Sequence, residues 1–324
     1  MSMENNSPIS DLFQTVKTLR TLRKGMVINM ALTSKFMKLQ LNLIKPLING
    51  CTLETARATQ DKIGQIVAQT QKKKLRYSTH VFKNFMSVWV IPKKQKIDGV
   101  ILYLHGGGYV AGDVEYVKSF GSTLANKNNI RVFCPAYRLA PEHPFPAAVE
   151  DCLEAYLYLL SCGYTEKNIL LCGESAGGAL PYSLCLKLQE MGMELPCGII
   201  SISPWVDLTF STKSLVTNKD NDPALTKERL EYYAECYTTE ERKNPLVSPI
   251  FGELKNMPPS LIFVGGGEIL LDEAKLLHKR LEEFGNKSEL IITPDMWHAY
   301  ILYGIKETKN DHVRISEFIG RNIR

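Results

Sequence analysis

Apolar runs of strand length occur at 85–91, 99–104, 130–134, 168–172, 198–203, 260–264 and 288–292, and helix-length periodic segments lie between many of them, notably at 147–161, 176–190, 273–284 and 308–320. Strands that read as unbroken apolar runs are covered on both faces, and parallel neighbours need crossover helices to provide that cover. The alternation therefore predicts an α/β fold with a mostly parallel central sheet and helices on both faces. It also directs attention to residues just past each strand, because such sheets bind ligands at the carboxyl ends of their strands. Residues 205–258 break the rhythm with a helix at 226–238 and two Pro-containing segments, and read as an insertion. Together with residues 1–75 they are expected to cover one edge of a sheet domain spanning 76–324.

At 324 residues and 44% hydrophobic, the chain can bury a full-sized core. No apolar run reaches the roughly 18 residues of a membrane span, and the start, "MSMENNSPISDLFQ", lacks the pattern of a secretory signal. The eight cysteines contain no C-x-x-C pair, which argues against a metal site and a disulfide framework. A cytoplasmic location is expected. The net charge of +5 sits entirely in residues 1–50, which carry seven Lys or Arg against two acids; the rest is balanced. A broadly basic surface for nucleic acid is thus excluded.

From Met26 to Lys45 the apolar positions Leu32, Phe36, Leu39 and Leu43 recur at helical spacing, with Lys35, Lys38, Asn42 and Lys45 on another face and Pro46 as the stop. The expectation is a helix that packs its apolar stripe on the protein and presents its lysines to water, without membrane contact.

The run "NILLCGESAGGAL" at 168–180 places G-x-S-x-G between a strand and a helix. This is the context of a nucleophile elbow, a sharp turn that small neighbours permit and that exposes a serine, here Ser175, at the sheet edge. "GVILYLHGGGYVAGD" at 99–113 puts a second strand before His105 and three glycines. Acyl transfer needs backbone N–H groups aimed at the oxygen that becomes negative. Gly107 and Gly108 are candidate donors, with Ala176, the residue after the serine, as a third. Neither G-x-G-x-x-G nor a Walker lysine follows, so a phosphate loop is disfavoured.

With these residues assembled, the chain resembles the hormone-sensitive-lipase-like family of α/β-hydrolase carboxylesterases. "HGGGY" at 105–109, "YRLAPEHPFPAAVED" at 137–151, "GESAGG" at 173–178, "SPWVDL" at 203–208 and "DMWHAY" at 295–300 carry the resemblance in order from about 78 to 320. It implies hydrolysis of small, short-acyl esters by a serine triad without cofactor or metal. It further implies a helical cap from the N-terminus and an insertion after the sixth strand, and homodimers paired through the sheet edge. The stretch 137–151 would brace the oxyanion loop.

The elbow class has chain order Ser, acid, His. Only His278, His298 and His312 follow Ser175, and of these His298 alone lies in a loop after a strand. It matches the family's base, although Ala299-Tyr300 replaces the usual Gly-Phe. The family's "D-P-L-x-D-E" segment falls on "EILLDE" at 268–273, which puts Glu268 in the acid's place with Asp272 as runner-up. Asp272 and Glu273 would otherwise form an acidic first helical turn. Tyr109, Trp205 and Phe36 are candidate walls of the acyl pocket. Amidase or thioesterase chemistry on the same triad is an alternative, as is a silent ligand-binding relative.

Overall fold

The computed structural model describes residues 33–71 and 73–324. Eight strands form one sheet: β1 (Leu75–Val81), β2 (Met86–Pro92), β3 (Val100–Leu104), β4 (Arg131–Ala136), β5 (Ile169–Glu174), β6 (Gly198–Ile202), β7 (Ser260–Gly265) and β8 (Ser288–Thr293). Their spatial order is β1-β2-β4-β3-β5-β6-β7-β8. β1 and β2 pair antiparallel at one end, β2 runs antiparallel to β4, and every other pairing is parallel.

Each residue of β3, β5, β6 and β7 is buried, as the apolar runs require. Alternate residues feed two cores. Val100, Leu102, Ile169 and Leu171 join one with helices α4 (Ala147–Ser161), α5 (Ala176–Glu190) and α8 (Leu271–Glu283). Ile101, Tyr103, Leu170 and Cys172 join the other with α3 (Val114–Asn128) and α9 (Lys309–Asn322). β1 carries no continuous apolar run. Of its residues only Leu75 is fully buried, which is why an edge strand of this kind leaves little trace in the sequence.

The N-terminal helices are α1 (Ser34–Gly50) and α2 (Leu53–Gln71). Residues 26–32 of the expected helix, and Leu32 with them, lie outside the described residues. Two expectations about α1 are corrected. It runs on through Pro46 to Gly50; a proline costs a helix one N–H and some crowding without necessarily ending it. Its inward face is also another one: Leu41 is buried, with Met37 and Ile44 against the core, whereas Phe36, Leu39 and Leu43 are 48%, 58% and 71% exposed. Lys45 Nζ donates to the carbonyls of Asp222 at 2.6 Å and Lys219 at 3.1 Å, and Lys38 Nζ reaches the Asp295 carbonyl at 3.4 Å. Met37, Leu41 and Ile44 form a second apolar row, and packing that row on the core leaves the first one outward.

α2 crosses α3 closely: a Cβ on Gly64 would lie 1.9 Å from the Glu115 carbonyl oxygen. Arg57 of α2 donates to the carbonyls of Val110 at 2.7 Å and Ala140 at 2.9 Å and pairs with Glu142. Residues 205–258 run between β6 and β7 and contain α6 (Ser214–Thr217) and α7 (Lys227–Tyr237). The Tyr233 ring of α7 rests against Gly108, where a Cβ would approach its Cδ2 to 2.3 Å.

Among the described residues, no helix is long and apolar enough to cross a membrane.

Candidate active site

Ser175 is the single residue between β5 and α5, at φ 55° and ψ −125°. A side chain other than glycine rarely occupies positive φ, and such strain persists only where the surroundings hold it. They do so here. Ser175 N–H donates to the Ile202 carbonyl at 2.9 Å, and its own carbonyl accepts from Gly178 at 2.9 Å and Trp205 at 3.0 Å. Gly177 is required by close approach, since a Cβ there would lie 2.2 Å from the carbonyl oxygens of both Leu104 and His105. Those carbonyls open the glycine loop, so the first turn of α5 and the loop after β3 are packed into contact.

In that loop Gly107 and Gly108 have φ of 111° and 64°, the left-handed region that favours glycine. The stretch 137–151 holds it from behind. Tyr137 stacks on the His105 ring at 4.0 Å and its hydroxyl donates to the His105 carbonyl at 2.7 Å, while Ala140 N–H donates to the Tyr109 carbonyl at 2.9 Å. Arg138 grips buried Asp151, fixing the stretch itself. His105 is fully buried, with Nδ1 2.7 Å from the Gly106 carbonyl; burial pushes its pKa down to about 4 and keeps the ring neutral.

Glu268 follows β7 and His298 follows β8, so both stand with Ser175, which follows β5, along the carboxyl edge of the parallel strands. Glu268 is completely buried. Its Oε2 accepts from the Gly265 N–H at 2.8 Å and the Ser203 hydroxyl at 2.7 Å. Its Oε1, with no hydrogen-bond partner among the described residues, faces His298 Nδ1 at 3.5 Å. That is an ion-pair distance, longer than a closed hydrogen bond. Burial would lower the His298 pKa, but the negative charges of Glu268, Asp222 and Glu174 outweigh it and raise it above the ordinary value.

The other candidates separate cleanly. Asp272 Oδ2 accepts from Ser214 N–H at 3.0 Å, and Ser214 Oγ in turn accepts from Asp272 N–H at 3.0 Å. The runner-up acid is thus engaged at the start of α6. Glu273 binds the N–H groups of Val206 and Asp207 at 2.8 and 2.9 Å. His278 is bound to Ser288 and His312 is buried on α9. Tyr109 and Trp205 are buried side by side with ring centres 5.9 Å apart, and Tyr109 stacks on Tyr237 of α7 at 3.8 Å. Phe36 lies on the exposed side of α1 and belongs to neither core.

Sequence reasoning singled out neither of two further residues at this site. Ser203, at φ 48°, donates to Glu268 and accepts from Ala299 N–H at 3.0 Å, tying the carboxylate to the histidine loop. Asp222 is fully buried and lies close enough for its charge to act on His298; burial pushes its pKa up to about 6, against the pull of the histidine. Both reach the site through long-range packing, and only "SPWVDL" hinted at the first.

A family model described as alpha/beta hydrolase fold matches residues 101–302. The chain belongs to this family. It is 33% identical over 68% of its length to an esterase of Acinetobacter venetianus, covering 74% of that protein. An acetyl-hydrolase of Streptomyces hygroscopicus is 37% identical over 66% of the chain and 72% of its own length. An esterase structure from the bacterial hormone-sensitive lipase family superposes with a TM-score of 0.80 at 32% identity, covering 89% of this chain and 98% of that one. The resemblance read from the motifs therefore holds, and the protein is a carboxylesterase of the hormone-sensitive-lipase-like branch.

Proposed function

We propose that Ser175 is the nucleophile, His298 its general base and Glu268 the acid that orients the base, in an enzyme acting on small, short-acyl carboxylic esters without a cofactor. The observation that carries this reading is the doubly anchored Glu268, whose remaining oxygen faces His298 Nδ1 at 3.5 Å. Held in that way, a carboxylate selects the tautomer with a proton on Nδ1 and leaves Nε2 to take the serine proton. Ser175 then attacks the ester carbonyl, and the N–H groups of Gly107, Gly108 and Ala176 receive the oxyanion. The alcohol departs with the proton from His298, and water repeats the cycle on the acyl-enzyme.

α1, α2 and residues 205–258 form the cap in this reading, supported by Tyr233 against the glycine loop and by Arg57 on the carbonyls after it. Tyr109 and Trp205 wall the acyl site from beneath the cap. A cytoplasmic location belongs to this reading, in keeping with cysteines scattered without a C-x-x-C pair.

The test is hydrolysis of matched acetyl and butanoyl p-nitrophenyl esters, S-phenyl thioesters and anilides by the purified enzyme. The proposal expects kcat/KM to be highest on the oxygen esters. A clear preference for thioester or anilide would transfer the same residues to the alternative chemistry.

The raised His298 pKa has a measurable consequence. His298 acts as base only when neutral, so kcat/KM falls as pH drops through that pKa. Asp222, ionised above about 6, adds to the elevation. Asp222→Asn is expected to move the acid limb of the kcat/KM profile to lower pH, and an unmoved limb would remove Asp222 from the electrostatics of the base.

A further inference from the structure

A carboxylate outside the proposed triad stands directly behind the nucleophile turn. Glu174, the last residue of β5, is 1% exposed. Its Oε1 accepts the Gly106 N–H at 2.7 Å and lies 3.4 Å from the Tyr116 hydroxyl. The Tyr103 hydroxyl is buried against the same group. Oε2 has no hydrogen-bond partner among the described residues. Burying a carboxylate with one oxygen unpaired is costly, and a neutral side chain of similar size would fill the space without that cost. The cost points to a task.

The task is visible in what Oε1 holds. Gly106 immediately precedes the two glycines proposed as oxyanion donors. A Cβ on Gly106 would lie 3.1 Å from Ser175 Cβ and 3.1 Å from Glu174 Oε1, so loop, nucleophile turn and carboxylate converge at one point. On the loop's other side Tyr137 holds the His105 carbonyl. The peptide entering the glycines is thus gripped from two directions, and Glu174 supplies the grip on the nucleophile's side.

We propose that Glu174 is a positioning residue for acyl transfer: by accepting the Gly106 N–H it sets the peptide leading into Gly107 and Gly108 at a fixed place relative to Ser175. This inference rests on the assignment of Ser175 and the glycine donors made above. Oxyanion donors act only from about 2.7–3.1 Å of the developing charge, so a small displacement of the loop costs rate without loosening substrate binding. Burial pushes the Glu174 pKa up to about 7, so the group is charged only above that pH, where Tyr103, Tyr116, Tyr137, Cys134, Cys172 and His298 feel it.

The experiment compares wild type, Glu174→Ala and Glu174→Gln for kcat and KM on p-nitrophenyl butanoate across pH, with melting temperature and the stoichiometry of serine labelling by a sulfonyl fluoride recorded for each. Removing the acceptor in Glu174→Ala is expected to lower kcat by about 10²-fold, the lower end of the range for losing one oxyanion donor, with KM little changed. Glu174→Gln retains an acceptor of equal reach and should recover most of that loss. An Ala variant with wild-type kcat overturns the proposal. So does a loss that tracks melting temperature and labelling and that Gln does not restore, since that pattern belongs to a merely structural carboxylate. If Ser175→Ala were itself active, the nucleophile assignment would fall first and this inference with it.

Discussion

Ser175→Ala is expected to lower kcat on p-nitrophenyl butanoate by about 10⁴–10⁶-fold while leaving the fold intact, in keeping with what loss of a serine nucleophile does to enzymes of this mechanism. Only the side-chain oxygen is removed. The turn itself is held by backbone bonds from Ser175 to Ile202, Gly178 and Trp205, none of which involves the hydroxyl. Alanine also relieves nothing at φ 55°, so the strained backbone should persist. Melting temperature should accordingly stay near the wild-type value. A variant that hydrolyses the ester at more than a few per cent of the wild-type rate would show that another group attacks the carbonyl. A variant that unfolds would show instead that the hydroxyl braces the elbow.

Glu268→Gln is expected to cost about 10³–10⁴-fold in kcat, the scale seen when a triad acid is neutralised in place. The amide can still accept from Ser203 and Gly265, so the loop should hold. What is lost is the negative charge that favours the Nδ1 tautomer and steadies the imidazolium formed during attack. Asp272→Asn is the matched control and should act near wild type, because Asp272 faces Ser214 at the start of α6. Equal losses in the two variants would mean that the site needs acidity around 268–273 generally and would sink the specific assignment. Glu268→Asp addresses why a longer acid stands here. The Glu268 side chain folds back so that Oε2 meets the N–H of Gly265, three residues earlier, while Oε1 reaches the histidine. A side chain shorter by one methylene cannot do both at the same backbone position, and an intermediate rate is expected.

The parallel core was legible because its strands are buried on both faces and their runs are unbroken. β5, for example, reads as apolar from Ile169 to Cys172 and is buried throughout. β1 was not legible, since an edge strand with one buried residue shows no such run. Ser175 and His298 could be found from local context, because an elbow and a loop histidine after a strand are features of neighbouring residues. The balance between Glu268 and Asp272 could only be set by family pattern.

What the amino-acid sequence determined by itself, then, was the buried parallel strands, the elbow at Ser175 and the glycine loop at 105–108, all of which depend on residues within a few positions of one another. Tertiary structure alone decided that Glu268 faces His298, that Ser203 and Asp222 join them from the segment after β6, and that α1 turns Lys38 and Lys45 inward and Phe36, Leu39 and Leu43 outward. The physical reason is the same in each case. A carboxylate takes whichever orientation supplies its hydrogen bonds and an apolar row whichever buries it, and the partners of both come here from segments dozens to hundreds of residues away.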